Sequence, residues 1–557
     1  MAKKLINDPA DVVREALEGV VLGQPGTALL GDELIVVRAD RVVSADNRDR
    51  LPVALISGGG AGHEPAHAGY VADGMLTAAV SGEVFASPSV DAILAGIRAV
   101  TGTAGSLLIV KSYTGDRLNF GLAAEIARAD GLAVEMVVVA DDVAITESDA
   151  NAGRRGLAGT VLVHKVAGAA AAAGRPIAEV AQLARLVADG LGTIGVGLSG
   201  VTVPGAEGPG FVLGPDEIEI GLGIHGEAGV ARGPLRTADV LVDDLVRRIA
   251  ADRGLVAGAR VVALVGSAGA TPPIELQIVT RAVAHAVQGL ELELVRLWAG
   301  LVMTSLDMVG ISVTLLALPT GDPGEELLAL LDAPTGAGAW PGGVAEPPKL
   351  LVVDRPRVDH DAVADAGEHD PQVAAAIDAA CRALLAEEAE LTRLDQVVGD
   401  GDLGSALARG ARAWLNDPVT GSAAGQLRGL ADHARRVIGG TSGPLYAVGL
   451  LQTAEGLDRG LDWPAAFRAG VRGLMDLGGA VPGDRTMIDA LVPAIDAAHQ
   501  GLDAVLAAAR AGATATADLL ARRGRSSYLG DRVQGTPDPG AVAVTVWLAA
   551  VRDSIAG

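Results

Sequence analysis

The acidic loop DQVVGDGDLGS, from Asp395 to Ser405, carries three carboxylates spaced five and then two residues apart. A continuous helix turns about 100° per residue and would set Asp400 roughly 140° away from Asp395. Gly399, Gly401 and Gly404 instead permit a sharp bend on which Asp395, Asp400 and Asp402 can converge, and converging carboxylates need a cation. The nearby donors are all oxygen, which favours Mg²⁺ or Ca²⁺ over zinc. The following Gly404-Ser405 offers amides and a hydroxyl to phosphate, so Mg²⁺ with a nucleotide is the better fit. A solvated acidic turn has the same composition, and the loop alone leaves both readings open.

Other candidate chemistry lies far upstream. LPVALIS, Leu51 to Ser57, reads as a buried strand running into GGGAGHEPAHAGYV, and a strand, a glycine-rich turn and a helix in succession form the ligand corner of an α/β fold. No Gly-Lys-Ser/Thr follows, so this is not a Walker loop. His63-Glu64-Pro65-Ala66-His67 matches the zinc-protease string, yet Pro65 keeps both histidines off one continuous helix. His63 then stands beside a backbone that a small ligand can approach, unless it is an ordinary capping or core histidine. In KSYTGDRLNF, Lys111, Asp116 and Asn119 follow the strand candidate Ser106 to Val110, where either active-site side chains or a solvated loop belongs. His225, framed by Gly223 and Gly226, could serve as a nucleophile or base, or sit in a plain glycine-rich loop.

The elements that must hold these residues follow from the apolar pattern. Strand candidates recur at Ala133 to Val139, Val261 to Val265 and Leu350 to Val353, with Ala-rich helical stretches between several of them, which is α/β alternation. Gly300 to Pro319 is nearly long enough to span a bilayer, but Thr304, Ser305, Asp307 and Ser312 interrupt it, so a buried core segment is expected. PTGAGAWPGGVAEPP, Pro334 to Pro348, reads as a linker. Beyond Asp370 the periodicity is helical, with about eight helices expected in an all-α domain whose polar, glycine-bearing loops share one end.

The 557 residues exceed one domain, and with 50% apolar but only 2% aromatic residues the cores must be built from Ala, Val, Leu and Ile. A net charge of −24 and a pI near 4.7 disfavour nucleic-acid and membrane-surface partners. The single Cys381 fits a reducing cytoplasm, and MAKKLINDPADVV reaches Asp8 and Pro9 before any apolar run, so no signal peptide is expected.

Taken in order, GGGAGHEPAH, KSYTGDRLNF, GIHGE, VGDGDLGS, GGTSG, PGDRTM and GRSSYLGDR resemble the dihydroxyacetone kinase family over nearly the whole chain. The resemblance implies an α/β ketose-binding domain of two subdomains over residues 1–333, a linker over 334–356 and an all-α helical-barrel nucleotide-binding domain over 357–557. It implies that His225 attacks the ketone of a small ketose, most simply dihydroxyacetone, to give a covalent hemiaminal. Gly60, Ala61, Gly62, His63, Lys111 and Asp116 would surround the ketose, with His63 and Asp116 as candidates for removing the proton of the attacking hydroxyl. Asp395, Asp400 and Asp402 would hold Mg²⁺ on ATP. Leu403, Gly404, Ser405, Ala406, Thr441, Ser442 and Gly443 would cradle its phosphates, and Gly478, Met487, Arg525 and Asp538 would complete the nucleotide site, in a cytoplasmic homodimer. Ala61 stands where many relatives carry Ser, which leaves a longer ketose such as erythrulose open, and Leu403 lies where relatives vary. A non-catalytic ligand-binding regulator, a phosphocarrier-dependent system and a side reaction that cyclises FAD are the other behaviours found among relatives.

Overall fold

The computed structural model describes residues 3–145, 153–342, 346–353, 367–523, 527 and 533–556. By contacts the chain divides into two units, Met1–Val352 and Val353–Gly557.

The first unit is built on two six-stranded sheets, the two α/β subdomains expected. One sheet contains β1 (Thr27–Leu29), β2 (Ile35–Arg38), β3 (Ala54–Ala61), β4 (Ala78–Val84), β5 (Ser106–Lys111) and β6 (Val134–Val139), in the order β1-β2-β4-β3-β5-β6. The β4-β3-β5-β6 part is parallel. Helices cover both of its faces, and every residue of β3 and β5 is buried, as the near-continuous apolar runs LPVALIS and SLLIV require. The chain passes from β3 to β4 on one side and then to β5 on the other, a reversal of the kind that places ligand crevices outside the carboxyl ends of the strands. The second sheet, mostly antiparallel, contains β7 (Leu191–Gly197), β8 (Glu217–Ile220), β9 (Ala231–Pro234), β10 (Arg260–Ser267), β11 (Glu293–Gly300) and β12 (Gly310–Ala317). The long apolar stretch from Gly300 is accounted for by β12, which is a core strand.

Several expectations change. The glycine run is not a turn but the end of β3, which extends through Ala61, and the chain then passes through turns and a short 3₁₀ segment, Ala68–Tyr70, rather than an α-helix. Leu350 to Val353 is no strand: each of these residues is at least 73% exposed, because a β-rich run without a neighbouring sheet edge has nothing to pair with. The segment expected to begin the linker is packed chain at its start. Ala337 and Trp340 are buried in the first unit's core, Trp340 lies 4.9 Å from Trp298 between ring centroids, and Gly336 N donates to Asp73 O. An apolar indole wins over the surrounding Gly and Pro because its burial gains more than the chain entropy it costs.

The second unit is all-helical, with nine α-helices among the described residues where about eight were expected: Pro371–Ala386, Glu388–Val398, Leu403–Asn416, Ala423–Val437, Ser442–Asp458, Trp463–Gly478, Ile488–Asp496, Leu502–Ala515 and Pro539–Ala556. The extra helix arises where Glu387 interrupts one long periodic run. Small residues let the helices approach closely: Gly449, Gly456 and Gly470 stand where Ser442–Asp458 meets Trp463–Gly478. The helices enclose an apolar cavity of about 570 Å³, lined by residues such as Ile377, Leu407, Leu474 and Trp547. Pro539–Ala556 is the one helix among the described residues long and apolar enough to cross a membrane, and it packs against its neighbours in this unit.

Candidate active site

Two clusters gather the residues singled out by sequence, one in each unit. In the first unit, the end of β3, the end of β5, the first turn of the helix Thr114–Ala129 and the loop after β8 meet. Gly59 has φ +148°, and a Cβ there would lie 2.4 Å from Lys111 Nζ; one on Gly60 would lie 2.6 Å from Ala86 N. Glycine is therefore required for the loop from Phe85 and the lysine to close on the strand.

His225 is set by Glu227. Its Nδ1 donates to Glu227 Oε1 at 2.7 Å and its backbone N–H to Oε2 at 3.0 Å, which leaves Nε2 with a free lone pair. Burial pushes the Glu227 carboxyl up, but the hydrogen bonds and proximity of His225 outweigh it and bring it below the usual range. The His225 ring lies 4.8 Å from His63, 5.2 Å from Phe85 and 4.7 Å from Tyr113 between centroids. His63 is fully buried; its Nδ1 donates to Thr304 O at 2.8 Å, and its Nε2 has no partner. Because a carbonyl only accepts, His63 carries its proton on Nδ1, so its free Nε2 is an acceptor. Burial, and then the proximity of His225 and Lys111, holds His63 well below its ordinary range, so the ring is neutral with Nε2 open as an acceptor. Asp116 Oδ1 accepts from Ser87 Oγ at 2.5 Å, and Oδ2 lies 3.7 Å from Lys111 Nζ, so the carboxylate is aimed and balanced by charge. Asn119 donates to Pro88 O and holds the Ser87 loop instead of facing the site. His63 and His67 do not converge as a metal pair, since His67 Nε2 faces Lys111 Nζ at 2.8 Å. The arrangement offers a nucleophilic imidazole, a neutral imidazole base and a carboxylate base around one small space.

In the second unit Asp395 lies in the last turn of the helix Glu388–Val398, and Gly399 ends that helix before the next begins at Leu403. Asp395 Oδ2 accepts from the amides of Asp402 at 2.9 Å and Leu403 at 3.1 Å, folding the loop back on itself. One ligand oxygen each from Asp395, Asp400 and Asp402 lie within 4.8 Å of one another. Three carboxylate oxygens at that separation, with no nitrogen or sulfur among them, fit a hard divalent cation. Leu403, Gly404, Ser405 and Ala406 open the helix after the loop, and Ser442 and Gly443 open another whose N-cap, Thr441, makes no side-chain cap bond. First-turn amides have no partner within their own helix and attract phosphate. Met487 precedes the helix Ile488–Asp496 and lies against Gly540, Gly478 lies against Leu445, and Asp538 caps Pro539–Ala556 by accepting from Ala541 N at 2.8 Å. Burial pushes Asp538 up to about 6; Ala541 N–H and Arg485 oppose this, and Asp489 and Asp395 reinforce it. Arg525 lies outside the described residues.

Sequence reasoning missed several residues. Glu227 was within reach, two positions from His225 in GIHGE. Phe85, Tyr113, Ser87 and Thr304 enter by tertiary contact alone. Buried Arg485, at φ +61°, clasps Val533 O and Thr536 O and so ties PGDRTM to the approach of Asp538.

The Dak1 domain model matches residues 25–339 and the DAK2 domain model residues 397–553. The chain is 44% identical to a putative 3,4-dihydroxy-2-butanone kinase of Solanum lycopersicum, over 98% of this chain and 97% of the relative. It is 42% identical to the Homo sapiens triokinase/FMN cyclase, over 99% of each. The crystal structure of the dihydroxyacetone kinase from C. freundii in complex with AMP-PNP and Mg²⁺ aligns over 100% of both chains, at 34% identity and a TM-score of 0.64. Matches that run through both units and nearly the full length of these relatives show that the chain belongs to the dihydroxyacetone kinase family.

Proposed function

We propose that the protein transfers the γ-phosphoryl group of ATP to the terminal hydroxyl of a small ketose such as dihydroxyacetone, held as a hemiaminal on His225. The observation that carries this reading is the free Nε2 of His225, oriented through Nδ1 by Glu227 at 2.7 Å and set beside His63 and beside Tyr113, which precedes the helix bearing Asp116. The lone pair of Nε2 attacks the ketone carbon, the C–N bond forms as the C=O π bond breaks, the oxygen takes a proton from solvent to become a hydroxyl, and the Nδ1 proton passes to Glu227 and from there to solvent. An alcohol carbon cannot accept the nucleophile, so the step selects ketoses over glycerol. His63 Nε2 or Asp116 then takes the proton of the terminal hydroxyl as its oxygen attacks phosphorus, and ADP leaves. Gly60, Ala61, Gly62 and Lys111 pack the bound ketose.

In the second unit Asp395, Asp400 and Asp402 would hold Mg²⁺, which neutralises charge on the phosphate oxygens. The first turns at Leu403–Ala406 and Ser442–Gly443 receive phosphates, and Gly478, Met487 and Asp538 border the nucleotide. The family relation and the C. freundii complex with AMP-PNP and Mg²⁺ support this assignment, and three converging aspartates are more than a non-catalytic regulator needs. A homodimer is part of the proposal and is read by light scattering. Release of ADP in a coupled assay tests the function: dihydroxyacetone, glyceraldehyde or an erythrulose enantiomer should support turnover and glycerol should not. No ketose-dependent ADP above background would overturn it.

A further inference from the structure

Behind the ketose loops a buried polar chain of His67, Ser57 and His164, which the phosphoryl chemistry leaves unused, backs Lys111. Lys111 Nζ lies 2.8 Å from His67 Nε2, 3.1 Å from Gly58 O and 3.7 Å from Asp116 Oδ2. His67 Nδ1 lies 3.4 Å from Ser57 Oγ, which donates to Ile109 O at 2.6 Å and lies 3.2 Å from His164 Nε2. Of Ser57, His67, Lys111 and His164, none is more than 5% exposed.

One arrangement of protons satisfies the whole chain. An ammonium has three donors and no lone pair, so His67 Nε2 must accept from Lys111, and the His67 proton sits on Nδ1 and is donated to Ser57. The hydroxyl proton of Ser57 goes to the Ile109 carbonyl, which can only accept. Ser57 Oγ then takes a second proton from His164 Nε2–H. His164 Nδ1 is left as a bare lone pair, and it is the atom of that ring without a partner. A charged His67 would set N–H against ammonium in a dry interior, and burial together with Lys111 holds this ring far below its ordinary range.

The geometry points to His67 as a positioning residue for the ketose site: locked in one tautomer by Ser57, it takes one Lys111 proton, Gly58 O takes another, and the third faces Asp116 and the ketose. The inference rests on the ketose reading above. Burial already pulls Lys111 below its ordinary range, against the opposing charge and hydrogen bond of Asp116. The groups facing Lys111 are Asp116 from the helix Thr114–Ala129, His63 and His67 from the segment after β3, and His164 from the helix Thr160–Ala172. Gly156 packs on its backbone, and the neighbouring Arg155 is committed to Asp142 and Gly221 O. Loss of the His67 acceptor therefore favours the neutral amine, and a neutral Lys111 leaves Asp116 without its counter-charge.

The test is the pH dependence of kcat/KM for dihydroxyacetone in the full chain. In His67→Leu the alkaline limb should move acidward by about one pH unit or more, and kcat/KM at pH 8 should fall at least about tenfold, with KM for ATP unchanged. His67→Gln, whose Oε1 reaches the place of Nε2, should restore the limb. An unshifted limb in His67→Leu, or the same shift in the glutamine variant, overturns the proposal. If the leucine variant does not fold, Ser57→Ala, which frees the tautomer, should shift the limb in the same direction, and no shift would refute the chain. A ¹⁵N spectrum of the histidine-labelled full chain decides independently of turnover. Nδ1–H at His67 is expected, while Nε2–H or the imidazolium contradicts the assignment. Absent ketose turnover in the wild-type protein would count against the ketose reading, and the spectrum would still decide this one.

Discussion

Glu227 makes the account vulnerable at a position no catalytic group occupies. Both of its oxygens are engaged by one residue: Oε1 with the His225 ring at 2.7 Å, Oε2 with the His225 backbone at 3.0 Å. In Glu227→Gln one oxygen becomes an amide nitrogen that meets a donor, so either the ring loses the acceptor that fixes its tautomer or the loop loses its backbone bond. A hydrogen bond to a charged partner contributes about 1.5–3 kcal/mol. The Glu227 side chain is 37% exposed, so solvent screening places the loss at the lower end, about 1.5–2 kcal/mol, or roughly 10–30-fold in kcat/KM for the ketose. The assay is coupled ADP release with dihydroxyacetone and ATP varied separately. KM for ATP should stay at the wild-type value, because the nucleotide residues belong to the other unit. A variant within threefold of wild type for the ketose would refute the idea that Glu227 prepares His225.

Asp400→Ala should lower kcat by about 10³-fold, near 4 kcal/mol of barrier, while calorimetry still detects ketose binding; near wild-type turnover would remove the acidic loop from the mechanism. Buried His164 is held down to about 3 from 6.5 by desolvation and then by Lys111. It resists protonation when folded and accepts a proton when unfolded, so its contribution is complete above pH 6.5 and is lost as pH falls toward 3. By pH 5 this amounts to about 2 kcal/mol, and urea unfolding of the first unit's transition at pH 7 and pH 5 should show that much less loss in His164→Gln; equal losses would contradict it. A fragment ending at Gly342 should be more stable than one ending at Ala333 by about 3 kcal/mol, the cost of vacating the Trp340 site, and equal urea midpoints would show that Trp340 contributes nothing.

Local chemistry was legible wherever one stretch carried the whole signal. The glycines of the acidic loop announced a bend that brings Asp395, Asp400 and Asp402 together, and the apolar runs at Leu51 and Ser106 announced strands that the fold buries along their whole length. Signals that depend on partners were not legible. Leu350 to Val353 has strand composition but no edge to pair with, and Trp340, in a Gly- and Pro-rich stretch, is buried only because Trp298 waits for it. Likewise Lys111 reads as one residue beyond a strand, and only the fold sets His67, Ser57 and His164 behind it. The GGGA run reads as a turn because glycine usually marks one; here its missing side chains admit neighbouring backbone and the lysine to a strand.

The central claim is that a ketose is bonded to His225 while ATP phosphorylates it. The most direct measurement is a ¹³C spectrum of the full chain with dihydroxyacetone labelled at its ketone carbon, before and after addition of Mg²⁺-ATP. The account predicts that the bound carbon leaves the carbonyl region for that of a tetrahedral carbon bearing oxygen and nitrogen. The signal should be absent in His225→Ala and should give way to phosphorylated product when Mg²⁺-ATP is added to the wild-type protein. A bound ketose that keeps its carbonyl signal, or a tetrahedral signal that Mg²⁺-ATP does not consume, would contradict it.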